Sequence, residues 1–228
     1  LKQSLSFAVG CVHDISERKR AEEAVRQRNR ELALLNQMGN FLQECRTEEE
    51  TYCVITSVCK ELFPSDSGGL YIADASQQTM FHMATSWGNS PPKSQAFDID
   101  ECWALHYSKP LLVKASEPDP LCPHLCSPPD NGYLCIPIDT LDRTLGVLHL
   151  RFGQRKPRCS NGEYRHLLEL KRVVITRVIE QYALSLANLQ LRETLRIESI
   201  RDPLTDLYNR RSMEESLERE ERRTKRNH

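Results

Sequence analysis

The sequence predicts an α+β fold, with a central antiparallel sheet, flanking helices and long N- and C-terminal helices of coiled-coil character. Three observations predict it. Residues 31–63 keep a helical apolar period, interrupted near Arg46 and Thr47. Two pairs of short apolar and β-branched runs, GGLYIAD with TMFHMATSWG and YLCIPID with TLGVLHLRF, are separated by turn-length gaps, as antiparallel hairpins are. Residues 160–200 contain no proline and no internal stop, so they read as one long helix.

Composition narrows the class. A chain of 228 residues leaves room for one ordinary domain of ~100–150 residues with long extensions. With 39% apolar and 28% charged residues it is expected to be a soluble globular protein rather than a disordered or membrane one. Lys and Arg total 31 against 32 for Asp and Glu, which gives no broad electrostatic basis for binding nucleic acid. No apolar run reaches the ~18–20 residues of a membrane segment. The first residues lack the basic start and cleavage site of a signal peptide and begin without Met, so the chain reads as a piece of a longer, cytoplasmic protein. Its nine cysteines are an odd number, which fits a reduced compartment better than a disulfide framework. Cys11, Cys45, Cys53 and Cys59 stand singly in helix- or strand-like surroundings, where a thiol acts as a small apolar group.

Taken in order, residues 4–12 read as a strand, and a helix follows the HDIS stop. Along that helix Ala21, Val25, Arg28, Leu32, Leu35 and Gly39 alternate by four and three. Two readings are open there: the seam of a parallel coiled coil, or an amphipathic helix lying on its own domain. Thr47 with Glu50 forms a capping box that starts a second helix through Tyr52, Val54, Ile55, Val58 and Leu62, and Pro64 ends it. The first hairpin turns at 75–78, and residues 90–99 read as a Pro- and Ser-rich loop. A short helix over 101–107, a strand in PLLVKA and a loop over 115–131 with five prolines precede the second hairpin. In the last helix Ile175, Ile179, Tyr182, Leu186 and Leu189 again alternate by four and three, and Leu191 and Leu195 continue on a shifted seam. A stripe that outruns its own domain predicts a parallel homodimer formed through the terminal helices.

The chemistry concentrates in residues 100–138, which carry Cys102, Cys122, His124, Cys126 and Cys135. Thiolates and imidazoles are the side chains that hold soft and borderline metals or carry redox chemistry. Cys122, His124 and Cys126 alternate between Pro120 and Pro128, so an extended loop would turn all three to one side. Cys102 opens the short helix, and in the strand Cys135 shares a side with Tyr133 and Pro137, opposite Leu134 and Ile136. The spacing is not the CxxC…CxxC of a structural zinc site. Bland readings stand beside the metal one: Cys102 and Cys135 as small buried residues, Cys122 and Cys126 as loop thiols, His124 as a loop histidine, His82 and His149 as satisfied core or pocket histidines. No paired carboxylates or nucleophile–base arrangement emerges, so no enzymatic activity is expected within these residues.

Several of these stretches resemble known families. GCVHDISERKRAEEAV is similar to the end of a PAS domain, which makes residues 1–15 a last PAS strand and 16–37 a signalling helix. The element order of residues 38–182, with GGLYIAD and YLCIPI…TLGVLHL as core strands, resembles a GAF domain. In that layout the short helix, the long loop and the Cys135 strand border one pocket. The resemblance thus implies metal ligands at Cys102, Cys122, His124, Cys126 and Cys135, holding zinc or an iron–sulfur cluster. It also implies a cofactor or small-molecule surround of Cys102, Trp103, Tyr133 and His149. ECWAL, Cys-x-His and LC-x-P resemble GAF domains fused to diguanylate cyclases, which often carry Arg-Arg-Gly and a His where this chain has His106, Tyr107, Ser108 and Leu111. Residues 183–201 read as a coiled-coil linker. Residues 202–228, opening DPLTDLYNRR, are similar to the start of a GGDEF domain with Asp206 in the Gly place, and they stop before its catalytic loop. The whole implies a sensory GAF domain that passes a signal through a dimeric helix to a cyclic di-GMP-forming cyclase. Alternatives are a ligand-free dimerisation module, a bilin attached near Cys122-Pro123-His124, and a cyclic nucleotide near Phe97, Asp100 and Glu101.

Overall fold

The computed structural model describes residues 28–74, 79–114, 121–125, 129–140, 143–154 and 159–200, with isolated residues at 18, 22, 25, 26, 209 and 213. The PAS-like strand, most of residues 16–27, Cys126 and the GGDEF-like tail apart from Asn209 and Met213 lie outside the described residues.

Helix α1 occupies the described residues 28–44. Helix α2, Glu48–Leu62, starts at the expected capping box: Thr47 Oγ1 accepts from Glu50 N at 3.4 Å, and Glu50 Oε2 accepts from Thr47 N at 3.4 Å. Three glutamates in its first turn and Lys60 in its last complement the helix dipole. Then come β1 (Ser67–Ala73), β2 (Met80–Trp87), β3 (Ala96–Asp98), a 3-10 turn (Ile99–Glu101), α3 (Trp103–His106), β4 (Leu111–Val113), β5 (Tyr133–Asp139), β6 (Thr144–Arg151) and α4 (Asn161–Ile200). The six strands form one antiparallel sheet in the order β3-β2-β1-β6-β5-β4. Both expected hairpins are present, as β1–β2 and β5–β6.

One strand departs from expectation. Residues 90–99, read as loop, contain β3, which pairs Phe97 with Phe81 and Asp98 with Met80 at the sheet edge. Three residues offer too little alternation for a period of two to register.

Alternation along the strands divides the core in two. On one face Leu134, Ile136 and Ile138 of β5 and Leu148 and Leu150 of β6 pack with α2, α4 and Met38 and Leu42 of α1. On the other, Tyr71, Phe81, Phe97, Tyr133, Cys135 and Val147 pack with the 3-10 turn, Cys102, α3 and residues 122–125. The sheet is therefore buried on both faces, unlike the half-solvated antiparallel sheet.

Helix α4 lies on the first face and is tied there at two points. Asp66 is 3% exposed and accepts from Gly153 N at 2.9 Å and from Lys171 Nζ. Thr51 Oγ1 and Tyr182 Oη share a hydrogen bond of 3.0 Å, joining α2 to α4. The expected free seam is corrected here. Ile175, Ile179, Tyr182 and Leu186 are at most 2% exposed and close the domain's own core, while Leu170, Leu184 and Leu191 on the other side of α4 are exposed. The sequence period is the same whether a stripe meets its own sheet or a second copy, which is why it misled. Helix α1 divides likewise: Leu35, Met38 and Leu42 join the core, whereas Val25 and Leu32 are exposed. Among the described residues no helix is long and apolar enough to cross a membrane.

Two substitutions test these elements. Asp66→Ala leaves the Lys171 ammonium and the Gly153 N–H without their acceptor, and is expected to cost about 3 kcal/mol or more in urea unfolding. Ser108 ends α3 with φ 47°, a left-handed conformation that disfavours any residue with a Cβ. Ser108→Gly is expected to raise stability by roughly 0.5–1 kcal/mol, part of the ~1–2 kcal/mol strain being offset by the freer unfolded chain.

Candidate metal centre

The second face of the sheet gathers the chemistry. Asp98 begins the 3-10 turn with its own capping box: Asp98 Oδ1 accepts from Asp100 N at 3.2 Å, and Glu101 Oε2 from Asp98 N at 2.9 Å. The turn ends at Cys102, whose extended backbone (φ −128°, ψ 109°) joins it to α3. That joint sinks the thiol completely, at 0% exposure.

The loop bearing Cys122 and His124 is fastened by hydrogen bonds to α3, to β5 and to the 3-10 turn. Trp103 Nε1 donates to Leu121 O at 3.1 Å, Cys122 N to Tyr133 Oη at 2.9 Å, and His124 N to Glu101 O at 3.1 Å. Leu125 N donates to Cys122 O at 3.1 Å, so residues 122–125 form a turn rather than the extended alternation expected from sequence. Cys122 and His124 still converge, because the turn folds both inward. The His124 ring stacks on Phe97, with centroids 4.4 Å apart, and its Nδ1 lies 3.0 Å from the Glu101 carbonyl. A carbonyl only accepts, so Nδ1 is assigned the proton and Nε2 faces the cysteines.

Strand β5 supplies Cys135 and β6 supplies His149. Their residues stand directly opposite in the antiparallel register, and Cys135 Sγ lies 3.3 Å from His149 Nδ1 and 3.9 Å from His124 Nε2. Two ligand groups result, Cys102–Cys122–His124 and His124–Cys135–His149, each with its donor atoms within 4.8 Å of one another. All five residues are buried.

Burial and mutual contact set the charges. Contacts with the Cys102 and Cys135 thiols hold the Cys122 thiol far below the usual range, against the effect of burial. Burial alone would lower His124, but its contacts with Cys102 and Cys122 raise it to about 10. Burial raises the Cys135 thiol well above its ordinary value and lowers His149 to about 3, with the His124 charge adding to the latter. Without a metal the cluster is thus a Cys122 thiolate beside a His124 imidazolium, with Cys135 protonated and His149 neutral.

Of the expected residues, Cys102, Cys122, His124 and Cys135 are brought together, and Cys126 lies outside the described residues. Trp103 and Tyr133 spend their polar atoms on anchoring the loop. His149, read as a cofactor or core histidine, sits within the cluster. The signal for it was available, since a hairpin centred on residue 142 places 149 opposite 135. The Glu101 carbonyl could not have been found, because backbone groups carry no sequence signature.

A cavity of about 20 Å³ reaches the cluster, lined by Pro92, Lys93, His124, Pro129, His149 and Arg151 among others. It has room for one ion or water, against the ~300–1,000 Å³ of organic-ligand pockets.

No protein-family model and no curated protein sequence matches this chain. Solved structures match its fold. The GAF domain of an Acinetobacter phosphoenolpyruvate-protein phosphotransferase superposes with a TM-score of 0.52 at 13% identity, covering 72% of this chain and 97% of the other. The nlh2 GAF domain of A. aeolicus, in an inactive state, gives a TM-score of 0.54 at 14% identity over 73% of this chain and 99% of its own. A methyl-accepting chemotaxis protein, residues 122 to 287, gives 0.50 at 11% identity over 68% and 98%. At these identities the likeness is one of architecture: the chain has the α+β fold of a GAF domain.

Proposed function

We propose that this chain is a sensory and regulatory domain, taking its signal at the Cys/His cluster and sending its output along α4. The observation that carries this reading is the double burial of β5. Cys135 faces the cluster, while its neighbours Leu134 and Ile136 belong to the core that α4 closes. A displacement of β5 by an occupant of the cluster is therefore felt by α4 without an intermediary, since packed interiors transmit strain. The small cavity favours a metal or redox occupant over an organic one.

The output partner follows from the tail. DPLTDLYNRR after α4 resembles the opening of a diguanylate cyclase domain, so the helix would couple the cluster to cyclic di-GMP formation. The working unit is a homodimer. Leu170, Leu184 and Leu191 are exposed on α4 and fall at one heptad position, which Arg177 interrupts. Val25 and Leu32, seven residues apart, are exposed as well. In such a dimer the signal is a change in the relative populations of two helix packings.

The test has two readouts. Leu184→Glu with Leu191→Glu is expected to weaken the dimer by roughly 100-fold or more, since two burials of ~1.5–3 kcal/mol each are lost per chain. Sedimentation would measure this, with circular dichroism checking that the domain stays folded. Hydrogen exchange of the amides of residues 180–196 is expected to change severalfold when the cluster is filled with zinc or its thiols are oxidised. Unchanged exchange under both treatments would remove the relay.

A further inference from the structure

We propose that Cys102, Cys122, His124 and Cys135 are the four ligands of a single tetrahedral, zinc-type divalent ion, and that His149 stands outside that tetrahedron as the hydrogen-bond donor to the Cys135 sulfur. This rests on the reading of the cluster as the input site, and it names the occupant and the ligand set.

The spacing carries the argument. With zinc–sulfur bonds of ~2.3 Å and zinc–nitrogen bonds of ~2.0–2.1 Å, tetrahedral geometry sets sulfur–sulfur edges of roughly 3.8 Å and sulfur–nitrogen edges of roughly 3.5 Å. Cys135 Sγ and His124 Nε2 are 3.9 Å apart, and the donor atoms of Cys102, Cys122 and His124 all lie within 4.8 Å of one another. Cys135 joins these three through His124 Nε2, the donor common to both ligand groups, and its sulfur must close on those of Cys102 and Cys122 for all four to share one ion. An iron–sulfur cluster fits poorly. Its irons and sulfides spread the protein sulfurs wider apart than this, and the adjoining cavity of about 20 Å³ leaves no room for them.

The division between His124 and His149 comes from their other contacts. His124 gives its Nδ1 proton to the Glu101 carbonyl at 3.0 Å and is clamped by Phe97, so its Nε2 is presented to the sulfurs. A backbone carbonyl orienting a ring through the nitrogen that does not bind metal is a recurrent feature of metal sites. His149 instead directs Nδ1 at the Cys135 sulfur, 3.3 Å away. Three thiolates and one divalent ion leave a net charge of −1, and an N–H donated to a ligating sulfur spreads it. Lys93 and Arg151 at the cavity complement the same charge. Four protein ligands leave no open coordination position, so the site is built for occupancy rather than for hydrolysis. The ligands come from the joint before α3, the loop and β5, and the ion would staple the covering segment to the sheet.

Cobalt reports this geometry directly. The 228-residue chain, reduced and stripped with a chelator, would be titrated with Co²⁺ and then Zn²⁺. The expected result is one Co²⁺ per chain, with the intense visible bands of four-coordinate cobalt, sulfur-to-cobalt charge transfer in the near ultraviolet, and displacement by one Zn²⁺. Cys102→Ser, Cys122→Ser and Cys135→Ser are each expected to weaken binding by more than about 100-fold, whereas Cys45→Ser and Cys53→Ser leave it unchanged. His149→Gln is expected to weaken it by about 10–100-fold while keeping the four-coordinate spectrum, which separates an outer partner from a ligand. The wild-type spectrum decides the case even if a cysteine variant fails to fold. Absence of stoichiometric cobalt, a weak six-coordinate spectrum, or iron with labile sulfide in the purified protein would overturn the proposal. Metal binding with unaltered exchange in α4 would uphold the site and remove the relay; thiol oxidation that alters α4 in protein unable to bind cobalt would do the reverse.

Discussion

Strand β5 is the constraint on which the rest of this structure depends. Its first six residues are buried, and they divide strictly between the two faces of the sheet. Leu134, Ile136 and Ile138 build the core beneath α2 and α4, and Tyr133 and Cys135 build the floor of the cluster. A strand with both faces covered must find partners for whatever polar groups it buries, because water is no longer there to serve them. Cys135 finds His149 across the hairpin and His124 in the loop above. Tyr133 directs its hydroxyl at the backbone N–H of Cys122 and so fixes the loop that delivers His124.

Burial of five thiol and imidazole groups would be costly if each stood alone. The cluster lowers that cost by exchange among its members: a proton resides on His124 and the negative charge on Cys122, while Cys135 and His149 stay neutral. Among the described residues Trp87 Nε1 and Thr176 Oγ1 are the buried side-chain atoms without a hydrogen-bond partner, and neither belongs to the cluster. Binding a divalent cation there would release the protons of His124 Nε2 and of the Cys135 thiol, so it would be a proton exchange as well as a binding event.

The fold was largely legible in the sequence because its signals are local. Thr47 and Glu50 are three residues apart, the hairpin partners lie within a few residues of their turns, and Pro64 stops α2 where a helix must stop. What escaped depends on distant partners. The three residues of β3 are a strand only because β2 lies beside them, and the α4 seam is a core stripe only because α2 and the sheet lie beneath it. The cluster stands between these cases. Its cysteines and His124 were visible as a crowded stretch, but their convergence depends on a turn at 122–125 and on Glu101 O, neither of which has a side-chain signature. Ser108 shows the same limit from the other side. A left-handed residue usually announces itself as glycine, and here only the resemblance to Arg-Arg-Gly in related sequences marked the position.

Helix α4 has 40 residues and is about 60 Å long at 1.5 Å per residue, so a displacement at the cluster has far to travel to reach its end. Helix α4 is not clamped uniformly. Near its start Lys171 meets the buried Asp66, and further along Tyr182 meets Thr51 and Gln190 Nε2 donates to Glu48 at 2.7 Å. Between the first two ties, Ile175 and Ile179 join the core that also holds Leu134 and Ile136 of β5. In the proposed relay, a helix held on both sides of such a contact would answer a push from β5 by turning about its ties rather than by leaving the sheet. Leu184 and Leu191 project from the same helix into solvent, so a turn of the buried seam necessarily reorients them. In the proposed dimer that reorientation is the signal, and its direction is set by which side of the helix axis β5 presses.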